Sequence, residues 1–327
     1  MERLPLIWAV VLNFNGREMT RQCLQTLLAS TYPNLKILLV DNASVDHTAE
    51  TVQADFPQVS ILQNPKNYLF AKGNNAGIAY ALNHGAEYIF ILNNDTLVAP
   101  ECIRTLASFL HGSPGCAACQ PLLLQMGRPE RVASAGCRVA LSGRATDMHY
   151  GVSVQSVPSH PFRVCGVTGG AFLVRSKALD HVGYFCEYFK MYFEDVDLSL
   201  RLQAEGYTLY CVPAGRVWHY VSASTKKRGT FFYTYYTERN SYLVVLRNYP
   251  LLQVLHSYLF KVPVSGVNFG LNLLKGNFAY SLAILFSMGW GLLAMAIWLP
   301  ARIWAGLCGK KKRYPFWPGI EKNTLYP

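Results

Sequence analysis

Lys36-Ile37-Leu38-Leu39-Val40-Asp41-Asn42 is a short, β-rich apolar run that stops on a carboxylate and an amide. The same figure recurs: Ile7 to Leu12 stops at Asn13, Val59 to Leu62 leads to Asn64, and Tyr88 to Leu92 leads to Asn93-Asn94-Asp95. Ala117 to Leu124 reads as a fifth strand. Between the runs, Glu18 to Ala29 puts Leu24, Leu27 and Leu28 on one helical face, Asp46 stands where it would cap a second helix, and Gly73 to Asn83 forms a third. Apolar strands alternating with helices predict an α/β fold, a doubly wound and mostly parallel sheet flanked by helices. In such sheets ligands bind beyond the carboxyl ends of the strands where the order reverses, which singles out the polar residues ending each run.

Downstream, residues 126–165 read as irregular, with turns and hairpins that suit a flap near an acceptor. A strand at Ala171 to Val174, helices at Ser176 to Val182 and Glu194 to Glu205, and a strand at Thr208 to Val212 follow. The formal charge of +11 is not spread evenly. Beyond residue 225 lie 13 of the 30 Lys and Arg but only Glu238 and Glu321 of the 19 acids, so the first part is neutral. A basic tail also rich in Leu, Phe, Trp and Tyr, without a recognition helix or finger, fits an anionic membrane surface and not nucleic acid. Nine scattered cysteines, and an apolar Leu6 to Leu12 that runs straight into Asn13-Phe14-Asn15-Gly16, fit a reducing compartment. Cys116 and Cys119 form a lone CxxC with no second pair for zinc.

Three constellations can carry chemistry. Asp41 with Asn42, Ser44 and Asp46 can accept hydrogen bonds from a ribose or base imide, or simply form an Asx turn with a helix cap. Asn93-Asn94-Asp95-Thr96 delivers a carboxylate to a strand tip, where hard cations meet diphosphates, although turns also favour Asn-Asp. Glu194-Asp195-Val196-Asp197 crowds three acids into a helical first turn directly after Tyr192-Phe193, where desolvation raises carboxylate basicity and the helix dipole is the plain alternative. Asp197 with Arg201 reads as an i,i+4 helix pair, and His219 closes Val217-Trp218 near a strand end.

From about Val10 to Asn248 the chain resembles the inverting family-2 glycosyltransferases of the GT-A fold, especially rhamnosyltransferase-like and galactofuranosyltransferase-like members. The resemblance rests on VLNFNG (Val11 to Gly16), VDNASVD (Val40 to Asp46), AKGNNAG (Ala71 to Gly77), LNNDT (Leu92 to Thr96), GGAFLVRS (Gly169 to Ser176) and FEDVDLSLR (Phe193 to Arg201). It implies that Asp41 meets the imide of a uracil or thymine base, that Asp95 and His219 bind a divalent cation (Mg²⁺ or Mn²⁺) on the donor diphosphate, and that Asp195, beside Glu194, is the catalytic base. It also places Asn13, Asn15, Asn42, Asn67, Gly73, Asn74 and Asn94 on the donor side, and Gly169 and Gly170 on the acceptor side. The activity implied is single, inverting transfer of a sugar from a UDP- or dTDP-sugar to a hydroxyl of a glycan or lipid-linked saccharide. The QxxRW motif of processive synthases is missing. Three positions depart from the pattern: Asn93 begins the metal motif in place of Asp, Leu69 stands where Gly is usual, and Cys186 stands where Asp is frequent.

Residues 1–225 are thus expected to form the catalytic domain, with a nucleotide-sugar half over about 1–125 and an acceptor half over about 126–225. Residues 226–327 form a basic, apolar, helical tail. Phe278 to Pro300 carries no charge, long enough to span a bilayer, with Trp298, Trp304 and Lys310-Lys311-Lys312-Arg313 as anchors. One crossing would separate that basic cluster from a cytosolic enzyme, and Lys261, Pro263 and His256 make Leu251 to Leu274 a poor second span. Helices in the interface or a shallow hairpin at the cytoplasmic face are therefore expected, with a soluble oligomerisation tail (a homo-oligomer) as the alternative. Phe231, Phe232, Tyr233, Tyr235 and Tyr236 either line an acceptor path or form core. Three rival functions remain, one of them a membrane adaptor with a vestigial N-terminal domain, suggested only by Leu69 and Cys186. A sugar-phosphate nucleotidyltransferase would need a Gly-rich loop that residues 11–20 lack, and a non-catalytic nucleotide- or carbohydrate-binding membrane scaffold would not need Asp195 beside Glu194.

Overall fold

Side chains alternate sides along β1 (Ile7–Asn13): Ile7, Ala9 and Val11 enter one core layer, Trp8 and Val10 the other. Burial on both faces is what a sheet covered by two helical layers demands. The computed structural model describes residues 4–220 and 223–307. After β1 come α1 (Arg17–Leu28), β2 (Leu35–Asp41), α2 (Thr48–Asp55), β3 (Ser60–Gln63), α3 (Leu69–Asn83), β4 (Tyr88–Asn93), β5 (Thr96–Val98), α4 (Cys102–His111) and β6 (Cys116–Gln125). The irregular stretch holds β7 (Arg128–Ser134), β8 (Cys137–Val139), β9 (Ala145–Asp147) and β10 (Phe162–Arg163). Then follow β11 (Ala171–Arg175), α5 (Ser176–Val182), α6 (Glu194–Ala204), β12 (Thr208–His219), α7 (Ala223–Asn248), α8 (Leu251–Leu274) and α9 (Phe278–Leu307).

The main sheet runs β10-β12-β6-β11-β4-β1-β2-β3, with β5 on β12 and β7 on β6. Strands β3, β2, β1 and β4 are parallel, β11 is inserted antiparallel between β4 and β6, and β6 and β12 are again parallel. The order reverses beside β1, so the tips of β1 and β4 open a crevice at the switch point. This is the mostly parallel, helix-flanked sheet expected from the sequence.

Two boundaries differ. The strand expected to stop at Val212 continues to His219, because a register shift between Val212 and Arg216 absorbs Pro213 as a bulge. Helix α3 begins at Leu69, four residues before Gly73. Asp46 serves both neighbouring helices: Oδ1 accepts from the Thr48 amide at 3.2 Å and Oδ2 from the Arg17 amide at 2.9 Å.

A third core cluster joins Val196 and Leu200 of α6, Phe189 and the β8–β9 hairpin to α7, α8 and α9. Helix α7 is broken at Gly229, whose φ is +79°. Lys261 of α8 points inward, 2% exposed, and donates to the Ser142 carbonyl at 3.0 Å and to the Ser241 hydroxyl. Among the described residues one helical segment, Phe278–Trp304, is long and apolar enough to cross a membrane. The basic cluster Lys310 to Arg313 lies outside the described residues.

Candidate active site

The strand tips build the site through a ladder of amides. Asn13, fully buried at the end of β1, donates through Nδ2 to Asp41 Oδ1 and Ser44 Oγ, both at 3.0 Å. Its Oδ1 accepts from the Thr20 hydroxyl and the Asn94 amide, both at 2.9 Å. Asn42 receives Asn64 at 2.8 Å and donates to the Leu69 carbonyl at 3.1 Å, while Asn15, itself at φ +52°, holds the Val45 amide at 2.8 Å. Asp41 is 2% exposed, and Asn13 and Ser44 donate to its carboxylate oxygens.

A cleft of about 1060 Å³ lies over these tips, a size that suits a nucleotide-linked ligand. Of the residues expected there, Asn13, Asn15, Asn42, Asn67, Asn94, Asp95, Gly169, Gly170, Glu194, Asp195 and His219 line it. Asp41, Gly73 and Asn74 stand behind its wall. Gly73 is a packing residue, since a Cβ there would come within 2.7 Å of Leu12 Cδ1 and 2.8 Å of Asn42 Nδ2. Asn74 donates to the Phe70 carbonyl at 3.1 Å, within its own helix. Leu69, in place of the usual glycine, adopts φ +60° with its amide held by Asn67 Oδ1 at 2.8 Å, so the loop keeps its shape at the expense of local strain.

On the other side, α6 presents the acids. Asp195 Oδ2 accepts from the Gly169 amide at 2.7 Å and Oδ1 from the Val196 amide at 2.8 Å. Burial pushes its carboxyl up to about 6 against the pull of those amides, with the charge of Asp147 adding to the rise. Glu194 is 3% exposed with Oε2 unpartnered, and burial and the charge of Asp195 push it well above the carboxylate range. Gly169 and Gly170 form the floor between the acids and β12: a Cβ at Gly170 would lie 3.5 Å from the His219 ring. His219 Nε2 sits 3.1 Å from Asp95 Oδ1.

At that distance the two side chains are hydrogen-bonded directly to each other, and they are the imidazole and carboxylate of the cleft that could hold a cation. Among the described residues no group of three or more His, Cys, Asp or Glu side chains stands together as a metal cluster.

Four contributors escaped the sequence reading: Asp147, Asn240, Arg247 and Asn248. Asp147, on the β8–β9 hairpin, lines the cleft from a stretch without periodicity. Asn240, fully buried on α7, lies 2.9, 2.8 and 2.7 Å from the carbonyls of Phe189, Met191 and Tyr192. It clamps the turn before the acids, where Lys190, Tyr192 and Phe193 all have φ between +61° and +70°. Asp197 pairs with Arg201 at 2.8 Å as expected, but also with Arg247 and Asn248 of α7, both at 2.9 Å. Cys186 lies beside this cluster, within the fields of Arg247 and Asp197, and not on the cleft lining.

A helix-flanked, mostly parallel sheet with a nucleotide-sized cleft at its switch point and clustered carboxylates defines a GT-A-type transferase fold. Residues 8–183, more than half of the chain, match Glycosyl transferase family 2, and the chain belongs to that family. It is 23% identical over 264 residues to the dTDP-rhamnosyl transferase RfbF of Shigella flexneri, covering 78% of this chain and 86% of that one. It is 27% identical over 224 residues to an N-acetylglucosaminyl-diphospho-decaprenol L-rhamnosyltransferase of Mycobacterium tuberculosis, covering 62% and 72%. Two other curated relatives are far longer, and the chain spans only 25% and 18% of their lengths. Among solved structures, the mannosyltransferase PcManGT from Pyrobaculum calidifontis, in complex with GDP-Man and Mn²⁺, shares the fold with a TM-score of 0.56 at 17% identity, over 94% of this chain and 85% of that one.

Proposed function

We propose that the chain transfers one sugar, with inversion, from a UDP- or dTDP-sugar to a hydroxyl of a glycan or lipid-linked saccharide, within the assembly of a cell-surface polysaccharide. The observation that carries this reading is the Gly169-Gly170 floor, which sets a base-like carboxylate (Asp195) one residue away from a cation-type donor pair (Asp95 and His219) in one cleft. The names of the rhamnosyltransferase relatives support a deoxyhexose donor. The amide ladder of Asn13, Asn15, Asn42, Asn67 and Asn94 serves the nucleotide end.

Asp195 removes the acceptor hydroxyl's proton as the new bond forms at the anomeric carbon, opposite the bond that breaks to the diphosphate. A carboxyl near 6 is ionised at neutral pH yet remains a competent base. Its two amide partners fix the direction of the accepting oxygen. Burial and the charge of Asp195 raise the Glu194 carboxyl, so a second charge beside Asp195 is disfavoured. Asp95 and His219 would hold a divalent cation, Mg²⁺ or Mn²⁺, which when bound neutralises charge on the leaving diphosphate.

The tail supports placement at the cytoplasmic face of a membrane, with α9 in the plane of the interface. Gly291 packs on the Tyr242 ring, Trp290 lies under Arg239 at 4.1 Å, Trp298 meets Tyr188, and Arg302 donates to the Leu246 and Tyr249 carbonyls, so one face of α9 is committed to α7. A crossing α9 would drag Glu238, Arg239 and Arg247 of α7 into hydrocarbon. Leu252, Leu259, Leu274, Leu293 and Ile297 face outward, as an interfacial helix pair requires.

Purified protein incubated with Mn²⁺ or Mg²⁺ and a panel of UDP-, dTDP- and GDP-sugars is expected to release nucleotide from one pyrimidine donor. That release is lost with EDTA, in Asp95→Ala and in Asp195→Asn. Donor binding without turnover under every condition would favour the scaffold instead.

A further inference from the structure

Strands β8 and β9 form a two-stranded sheet of their own, apart from the main one. A lone hairpin is marginal in water, so what it docks on sets its position. Its base is tied to the segment leading into the Gly169-Gly170 floor, the Cys137 amide donating to the Gly166 carbonyl at 2.9 Å. Its turn is held by the tail. Three consecutive carbonyls accept from three side chains: Ala140 from the Tyr249 hydroxyl at 2.6 Å, Leu141 from the Ser257 hydroxyl at 2.6 Å, and Ser142 from the Lys261 amine at 3.0 Å. Arg144 pairs with Glu238 of α7 at 3.0 Å. A Cβ at Gly143, whose φ is +77°, would collide with the Ser241 carbonyl, so the turn lies directly on the α7 backbone.

Packing alone does not call for this clamp. Tyr249, Ser257 and Lys261 are all buried, and a lysine is held inside at a desolvation cost that an aliphatic side chain would not carry. What the three polar groups have in common is one turn. The other end of the same hairpin is cleft wall: Cys137, Ala145, Thr146 and Asp147 line it, and Asp147 is exposed there. The Asp147 carboxylate lies within electrostatic reach of both Asp195 and His219, so it borders the space where an acceptor hydroxyl would meet the base. We propose that Tyr249, Ser257 and Lys261 are positioning residues of the transfer reaction: by fixing the carbonyls of residues 140–142 they set the β8–β9 hairpin so that Asp147 faces the acceptor hydroxyl. The inference rests on the cleft being a sugar-transfer site and deepens that reading, since it makes the helical tail a working part of the cleft.

The test compares the full-length protein with Lys261→Met, with the paired change Tyr249→Phe and Ser257→Ala, with Asp147→Asn, and with Asp147→Asn added to that pair. The clamp changes each delete donors with little loss of volume. Hydrogen–deuterium exchange over residues 137–147 reports on the hairpin, and nucleotide release from the pyrimidine donor, with water as acceptor, reports on the reaction. Exchange in the hairpin is expected to speed up in both clamp variants. The pair and Asp147→Asn should each lower kcat by about tenfold with donor KM within about twofold, because the amide ladder at the nucleotide end is built from other elements. Adding Asp147→Asn to the pair should cost little more than either alone, since both act on the same group. Losses that multiply in the combined variant, or clamp variants that melt lower with kcat unchanged, would make the clamp a structural contact and overturn the proposal. Hairpin exchange unchanged in both clamp variants would overturn it as well. No release by any protein, wild type included, would instead overturn the transfer reading, and the positioning role with it, whatever the hairpin's exchange.

Discussion

Glu194 and Asp195 are neighbours in sequence with different surroundings, and the proposed transfer gives them different roles. Asp195 keeps two amide donors and opens on the cleft, so kcat/KM should rise as pH increases through about 6 and level off above it. A pH–rate profile on the pyrimidine donor checks this, and a flat profile from pH 5 to 8 would remove Asp195 as the base. Glu194 has no partner for Oε2 and a carboxyl raised by burial. The sign of the linkage is definite: a raised carboxyl favours the folded state below its ordinary pKa of 4.5, and that contribution is lost as pH rises toward the folded value. Glu194→Gln, which cannot ionise, should therefore gain thermal stability relative to wild type as pH goes from about 5 to 8. A melting-temperature difference that does not change over that window contradicts a raised Glu194 carboxyl.

Helix α7 looks like the start of a tail, yet it holds in place the turn that leads into Glu194 and Asp195. Backbone at φ +61° (Lys190), +70° (Tyr192) and +68° (Phe193) is disfavoured for residues with a Cβ, and it persists because Asn240 ties the carbonyls of that turn together. Asn240→Ala should cost about 1–3 kcal/mol of stability and lower kcat more than it raises donor KM. Loss of stability with kcat unchanged would make Asn240 a structural clamp only. Arg247 adds a second tie. Asp197 is wholly buried, and burial alone would raise its carboxyl, but Arg201 and Arg247 hold it below the usual range. Arg247→Met removes one of the two ion pairs and should cost about 2 kcal/mol at neutral pH. Because the depressed carboxyl stabilises only above its ordinary pKa, the penalty should shrink as pH falls into the carboxylate range, which urea unfolding at pH 7 and pH 4 would show.

For the molecule as a whole, α9 has two faces with different partners. Inward, a Cβ at Gly291 would sit 2.7 Å from the Tyr242 ring, so Gly291→Val should loosen α9 from α7 and lower the melting temperature. Outward, Leu293 and Ile297 are each 59% exposed, and the pair Leu293→Lys with Ile297→Lys should leave melting unchanged while weakening co-sedimentation with phosphatidylglycerol vesicles by about tenfold or more. If the outward pair instead changes the sedimentation coefficient in solution and leaves vesicle binding intact, that face joins two copies of the chain.

The parallel half of the sheet was legible because each strand is a contiguous apolar run closed by a polar tip: Val40 then Asp41, Leu92 then Asn93. The ordered motifs from Val11 to Arg201 carried the family and most of the cleft lining in the same way, since local residue type sets strand ends, helix starts and the acids placed on them. What one dimension could not carry was every contact made at long range. Pro213 looked like the end of a strand until a bulge and pairing with β5 took β12 on to His219. That Asn13 and Ser44 bond both oxygens of Asp41 appears only in the fold, and Asp197 keeps its helix pair with Arg201 while gaining Arg247 from 50 residues away. Sequence alone determined the fold class and the family, because hydrophobic period and strand-end chemistry are local. Tertiary structure alone decided which polar groups face the cleft, what clamps the turn before Glu194 and Asp195 and which side of α9 is free, because burial and hydrogen-bond closure depend on elements brought together from opposite ends of the chain.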